Sequence, residues 1–304
     1  MESIDFNCDQ NLIAIAGVAL KIKVFRYDSI ISGQSPEYKY PVKEFTCSTK
    51  ISCISWNRYY QHNLASSDYG GVVTLWDTHR GIKSHAYQEH QSRCWCVDFS
   101  RHEPSILASG SDDRRVLFWS INSSKSVDCI EMNANVCSLK FAPDSSKIAV
   151  GTADHLLRLY DTRKLQNPIA VFKGHQKGVS YINFLSPSQL VSAATHNQLR
   201  LWNLPKPRCV RVFQGHTNVK NFVGLSCSSN YIATGSENNS LYVYYAGVSS
   251  PLISYRFESS RSLLGSPNRQ FDDQEFVSAV CFKPNSDIIA AGNSQGIVQI
   301  LEMV

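Results

Sequence analysis

Tyr69, Trp95 and Phe222 are bulky aromatics in or beside stretches rich in turn-forming and polar residues. Cations stand in comparable places: Lys50, Arg93 and Lys177, with His155 in a further turn. Aromatic rings offer a large apolar contact area, and a cation over a ring is held by the ring quadrupole. Gathered together, such residues suit a short peptide with an apolar anchor and acidic flanks, because buried aromatics and arginines carry most of the energy of such contacts. Any one of them alone reads equally well as a packed or solvated side chain. Several on one face favour a binding site.

Nothing comparable points to catalysis. His175, Ser192 and an acid have the residue types of a hydrolytic triad. But the His and Ser types recur along the chain, as in Gly174-His175 and Gly215-His216, whereas a catalytic set occurs once. The sequence has no G-x-G-x-x-G, no G-K-[ST] phosphate loop, no H-E-x-x-H and no G-x-S-x-G. Asp112 and Asp113 are neighbours in a turn, so their side chains diverge. Cys94-Trp95-Cys96 is too tight for a C-x₂-C zinc pair, and strand alternation points both thiols to one face, toward a core. The expectation is a chain that is no enzyme by itself, with no catalytic residue, no metal site and no cofactor.

What must position the candidate residues is a repeat. Apolar strands end at Leu75-Trp76-Asp77, Phe118-Trp119-Ser120, Leu159-Tyr160-Asp161, Leu201-Trp202-Asn203 and Val243-Tyr244-Tyr245, with aromatics 43, 41, 42 and 42 residues apart. Weaker copies lie at Val24-Phe25-Arg26 and Ile300-Leu301-Glu302, across longer gaps of 51 and 57. A period of about 40–45 with this ending is the mark of a WD-repeat β-propeller with about four short strands per repeat. The fold expected is therefore all-β: a single seven-bladed WD-repeat propeller over residues 1–304. In residues 173–214 the strands read as Val179 to Phe184, Leu190 to Ala194, Leu199 to Leu204 and Cys209 to Phe213, separated by turn residues. The Gly-His, the second-strand Ser or Thr, the turn Asp and the third-strand Trp form the structural tetrad of such blades. Asp113 and Asp154 hold the tetrad acid's place. His196 and Asn238 replace it in the fifth and sixth blades, which predicts weaker networks there.

Loops entering the first strand and turns between the second and third share the narrow face of a propeller, and all the candidate residues fall in or beside them. Phe222 comes six residues after His216, two more than Val179 needs after His175, which predicts a bulged entry. The last repeat shows only three strands, Val277 to Phe282, Ile288 to Gly292 and Ile297 to Val304. The chain opens inside the first repeat's inner strand, Ser3 to Phe6. The seventh blade is thus expected to lack its outer strand and to leave an exposed edge. A shortened chain accounts for this, and so does a partner strand that completes the blade. Two insertions, Asp28 to Tyr40 and Glu258 to Gln274, read as mobile loops, the second with Ser266-Pro267 as a modification candidate.

Several strings resemble the propeller of the constitutive photomorphogenic ubiquitin ligase family. They include Ala65-Ser66-Ser67-Asp68-Tyr69, Gly178-Val179-Ser180-Tyr181, Lys220-Asn221-Phe222-Val223-Gly224-Leu225 and Gly235-Ser236-Glu237-Asn238-Asn239-Ser240-Leu241-Tyr242. The likeness covers essentially the whole chain and looks closer to the animal form. It implies a substrate-recognition module of a RING-type E3 ubiquitin ligase that captures Val-Pro motifs preceded by acidic residues, directing ubiquitination and proteasomal degradation. By the resemblance Trp95 and Phe222 flank the Val-Pro anchor and Tyr69 lines the same pocket. Lys50, Arg93 and Lys177 meet the acidic flank, with His155 nearby. Implied partners are transcription factors and Tribbles-type pseudokinase adaptors, with photoreceptors added for a plant-like form. Tyr160-Asp161-Thr162-Arg163 resembles a box that docks on a cullin-ligase adaptor. Val219 and Gly70 stand where the family has Glu, which favours acidic ligands further or shifts specificity. The family's RING finger and coiled coil are absent from this sequence, so ubiquitin transfer is not expected of this chain alone. The alternative is a stand-alone WD-repeat scaffold that binds other motifs without ligase linkage.

Bulk properties narrow the field further. A net charge of +5, spread without a basic run, gives no nucleic-acid footprint. The longest apolar run, Leu12 to Leu20, is far short of the ~20 residues that cross a bilayer. Ten cysteines without a secreted spacing pattern read as buried reduced thiols. Nucleic acid and membrane are therefore not expected as partners, and the location expected is nucleus and cytoplasm.

Overall fold

The computed structural model describes residues 3–31, 40–143, 146–258 and 275–303. Seven antiparallel sheets follow one another along the chain. Six have four strands. The fifth, for example, is built from Val179–Ser186, Gln189–Ala194, Gln198–Asn203 and Arg208–Phe213. The seventh has three among the described residues, Val277–Phe282, Ile288–Asn293 and Val298–Glu302, as expected from the strand count. The innermost strand of each sheet packs on those of its neighbours, and Ser3–Phe6 meets Val277–Phe282 to close the ring. The first insertion begins as a short helix, Tyr27–Ile31, which corrects part of its reading as a loop. The remainder of that insertion's core, most of the second insertion and Ser266-Pro267 lie outside the described residues.

Burial explains why the repeat folds this way. Each blade has apolar residues on both faces, so a core forms at every junction between neighbours. Seven clusters result, one per junction. The closing junction uses Ile4, Phe6, Ile13 and Tyr27 from the first blade with Ala279 and Ala290 from the seventh. Side chains on the inner strands add staples between blades. Asp5 accepts the Trp56 amide at 2.7 Å, Asp98 the Phe141 amide at 2.9 Å, and the Ser226 hydroxyl the Phe282 amide at 2.9 Å.

The aromatic strand endings have a polar purpose within each blade. Trp76, Trp119 and Trp202 each donate the indole N–H to a serine ten residues earlier, Ser66, Ser109 and Ser192, at 2.7–2.8 Å. Hairpin register dictates that spacing: Leu64, Leu107 and Leu190 lie opposite the three tryptophans. In the third blade the tetrad is complete. His90 bridges Ser109 and Asp113, both at 2.8 Å. Burial alone would raise the Asp113 carboxyl. Hydrogen bonds and charge from His90, with the Gln91 and Arg115 amides, outweigh it and hold the carboxyl below the ordinary carboxylate range. In the fifth blade His175 and Trp202 still share Ser192, but His196 offers no acid.

Two expectations about thiols and strands need correcting. Cys94 and Cys96 are both buried, yet they serve opposite junctions, Cys94 toward the second blade and Cys96 toward the fourth. A β-bulge between them breaks the alternation: Cys96 pairs with Gly110 and Cys94 with Ser111, leaving Trp95 as the extra residue. The other cysteines are less buried than expected, and Cys129 is exposed.

Candidate functional site

The same bulge recurs near the start of the inner strands of the second, fourth, fifth and seventh blades. The skipped residues there are Ser52, Cys137, Ser180 and Ser278, all small. Only the third blade places a tryptophan in the bulge. A bulge re-aims its side chain out of the sheet, so Trp95 is directed to the mouth of the central channel, which it lines with Tyr69 and Phe222.

Tyr69 reaches the same place from a tight turn. Its amide bonds the Lys50 carbonyl at 2.9 Å, and Asp68 holds the turn by accepting the Gly70 and Val72 amides, each at 2.9 Å. Gly71 sits at φ 81°, and a Cβ there would lie 2.5 Å from the Ser92 carbonyl, so the turn demands glycine. Phe222 arrives by a third route. The sixth blade's inner strand starts only at Leu225, so residues 217–224 form a loop in place of the bulged entry that the spacing implied. Glu237 fastens that loop by accepting the amides of Lys220 and Asn221, both at 2.7 Å. Gly224 pins its end against the seventh blade, since a Cβ would meet the Val280 amide nitrogen at 2.5 Å.

The result is a row of edge-to-face rings across the mouth. Tyr69 and Trp95 have centroids 5.4 Å apart, Trp95 and Phe222 5.3 Å, and Phe222 and Tyr181 6.1 Å. The Arg93 guanidinium lies 5.7 Å from both the Tyr69 and the Trp95 ring, and the Lys50 ammonium 6.0 Å from Tyr69. Five of the seven candidates thus converge. Lys177 and His155 fall in a second group around the fifth blade, near enough to His196 and His175 to act on them electrostatically.

Three contributors went unread in the sequence. Tyr181 extends the row. Asp112 accepts the Trp95 indole N–H at 2.8 Å and the Asn135 amide at 3.0 Å, so it orients the ring. Glu237 holds the Phe222 loop. The divergence of Asp112 from Asp113 was legible from their adjacency, but not that Asp112 would turn to Trp95. Asp68, Asp112 and Glu237 are engaged internally, while Lys50 and Arg93 are exposed, Arg93 only 3.9 Å from Asp112, and Val219 is 48% exposed where an acid would add negative charge. An apolar group with negative charge beside it would complement such a rim. Among the described residues no group of His, Cys, Asp and Glu is arranged to hold a metal. No helix is long and apolar enough to cross a membrane.

Comparison with known proteins agrees with the propeller fold. A β-propeller family model described as nucleolar protein 10-like, N-terminal domain, matches residues 38–251. The E3 ubiquitin-protein ligase COP1 of Arabidopsis thaliana is 45% identical over 99% of the chain and 44% of its own length. The Arabidopsis protein SUPPRESSOR OF PHYA-105 1 is 42% identical over 99% of the chain and 30% of its own length. The Arabidopsis WD repeat-containing protein RUP1 is 32% identical over 98% of the chain and 79% of its own length. The chain thus spans less than half of the two longer relatives. These relatives are plant proteins and do not bear on the expected likeness to the animal form.

Proposed function

The chain belongs to the WD-repeat β-propeller family that includes the WD region of COP1, and from that premise we propose that it is a substrate-recognition module binding acidic Val-Pro peptides at the channel mouth. The row Tyr69, Trp95, Phe222 and Tyr181, flanked by Arg93 and Lys50, is the observation that carries this reading. A proline pre-organises an extended peptide, so less entropy is lost when it docks on aromatic faces. Acidic residues beside it meet Arg93 and Lys50, and Lys177 and His155 further out. The partners in this reading are transcription factors and Tribbles-type pseudokinase adaptors, and the setting is nucleus and cytoplasm. Transfer of ubiquitin would rest on other parts of a larger ligase. Arg163, 75% exposed at its side chain, belongs to the stretch offered to a cullin-ligase adaptor.

Titration of a labelled peptide with an acidic flank and a Val-Pro core tests the site. Trp95→Ala and Phe222→Ala are each expected to weaken binding by ~2 kcal/mol or more, roughly thirtyfold. Unchanged affinity in both variants would overturn the site. Equal binding of an Ala-Ala peptide would rule out the motif. A second reading, a scaffold without ligase linkage, draws support from RUP1, most of whose length is covered by such a propeller. Co-purification of ubiquitin-ligase activity with the chain separates the two.

A further inference from the structure

Seven buried polar atoms that lack a hydrogen-bond partner among the described residues gather between the fifth and sixth blades. They are Nδ1 of His175, both ring nitrogens of His196, Nε of Arg200, Nε2 of His216, and the side-chain nitrogen and oxygen of Asn218. The groups adjoin one another. The His175 and His196 rings are 5.1 Å apart, Asn197 accepts the Asn218 amide at 2.6 Å, and His196 acts electrostatically on His216. Asn218 is 0% exposed, His216 3% and His175 7%. Buried polar groups are ordinarily satisfied, and each orphan costs stability.

Neighbouring blades show what is missing. In the third, Asp113 accepts from His90 and from Arg115, the latter at 3.2 Å. In the fourth, Asp154 pairs with Arg158 at 2.6 Å. The fifth blade keeps the arginine, Arg200, four residues after His196, but an imidazole occupies the acid's place. Most of the orphan atoms are N–H donors or take that role as imidazole tautomers. The side chains that face His196 are His175, Arg200, Lys177 and Gln198, with His155 beyond His175, and none of them is an acid. A fixed guanidinium inside the cluster repels a metal cation and attracts an anion.

We propose that this cluster is an anion subsite that takes one carboxylate of an acidic peptide, the ligand supplying the acid that the fifth blade lacks. The inference rests on the peptide-binding reading above and extends it. The roof is a single turn, Thr195-His196-Asn197, with Asn197 exposed on the narrow face. The loop that carries Phe222 starts at this cluster, so a peptide anchored on Phe222 has its flank beside it. Burial, then Arg200, lowers the His196 imidazole; the Ala194 carbonyl and Gln198 side chain lie near enough to oppose that shift but without the geometry of a hydrogen bond, so the ring nitrogens stay unsatisfied. An incoming carboxylate favours the protonated rings, so the complex takes up protons and affinity rises as pH falls.

The test compares two Val-Pro peptides, one with acidic flanks and one with each Asp and Glu replaced by Asn and Gln, on the wild type and on His196→Asp. The wild type is expected to prefer the acidic peptide, more so at pH 6 than at pH 7.5. In His196→Asp that preference falls about tenfold, the scale of one charge-assisted hydrogen bond, and the neutral peptide binds as before. His196→Asn loses the pH dependence without adding charge, and serves if His196→Asp folds poorly. An acidic-peptide preference unchanged in both variants overturns the subsite and leaves the aromatic anchor standing. Failure of the wild type to bind either peptide removes both. A rise in Tm with acetate, while the two peptides bind alike, would identify a small-ion site and overturn the assignment to peptide.

Discussion

Asp112 is the sharpest test of how the aromatic row works, because it touches Trp95 without being a ligand contact. Its carboxylate accepts the indole N–H at 2.8 Å and the Asn135 amide at 3.0 Å, and the Arg93 guanidinium lies 3.9 Å away. Asp112→Ala frees the ring to leave its bulge-directed pose. A hydrogen bond to a charged group is worth about 1.5–3 kcal/mol. The Asp112 side chain is 24% exposed, which places this one near the lower end. If the whole of that energy serves to hold the binding-competent ring, a peptide with a neutral flank loses about 1.5 kcal/mol, roughly tenfold in Kd. An acidic peptide loses less, because Arg93 is released to meet it. That ion pair is half-exposed and worth at most about 1 kcal/mol. Fluorescence anisotropy of both peptides on wild type, Asp112→Ala, Trp95→Phe and the double variant gives the coupling directly. Phenylalanine has no N–H, so Asp112→Ala should cost little in that background. Losses that add to within about 0.4 kcal/mol would refute the orienting role, as would wild-type affinity of Asp112→Ala for the neutral peptide.

Acid should weaken the fold through its buried histidines. Burial, followed by the neighbouring His196, Arg200 and His155, pushes His175 down to about 3, and burial with His196 pushes His216 down to about 4. An unfolded histidine titrates near 6.5, so the unfolded chain takes up protons first. The stabilisation is full above that pH and is lost as pH falls toward 4 and then 3, at up to about 1.4 kcal/mol per pH unit for each ring. Urea midpoints between pH 7.5 and 5 should show this slope, and His175→Asn should remove one ring's share. An unaltered slope would contradict the assignment. Gly224→Ala places a Cβ 2.5 Å from the Val280 amide nitrogen and should destabilise by about 1–3 kcal/mol while displacing the Phe222 loop. Wild-type Tm and peptide affinity together would show that the seventh blade yields freely there.

The chain's residues determined more than its fold class. Aromatic strand endings about 42 residues apart, each Trp ten residues after its Ser, encode hairpins whose register and hydrogen bonds are local, and local constraints leave a period in the sequence. The three-strand seventh blade was legible for the same reason, since strands can be counted. So was the gap in the fifth-blade tetrad, because His196 occupies a place that the period defines. Tertiary structure alone decided how the departures from the period meet. The bulge that re-aims Trp95 and sends Cys94 and Cys96 to opposite junctions is a property of strand pairing, and simple alternation misreads it. Trp95 and Phe222 come from the third and sixth blades, and their contact exists only because the ring brings those inner strands to one mouth. Asp112, Tyr181 and the buried polar cluster at His196 and Asn218 likewise join residues from different turns and blades. No spacing rule links them, because their distances follow from ring closure and side-chain direction, not from neighbouring positions in the chain.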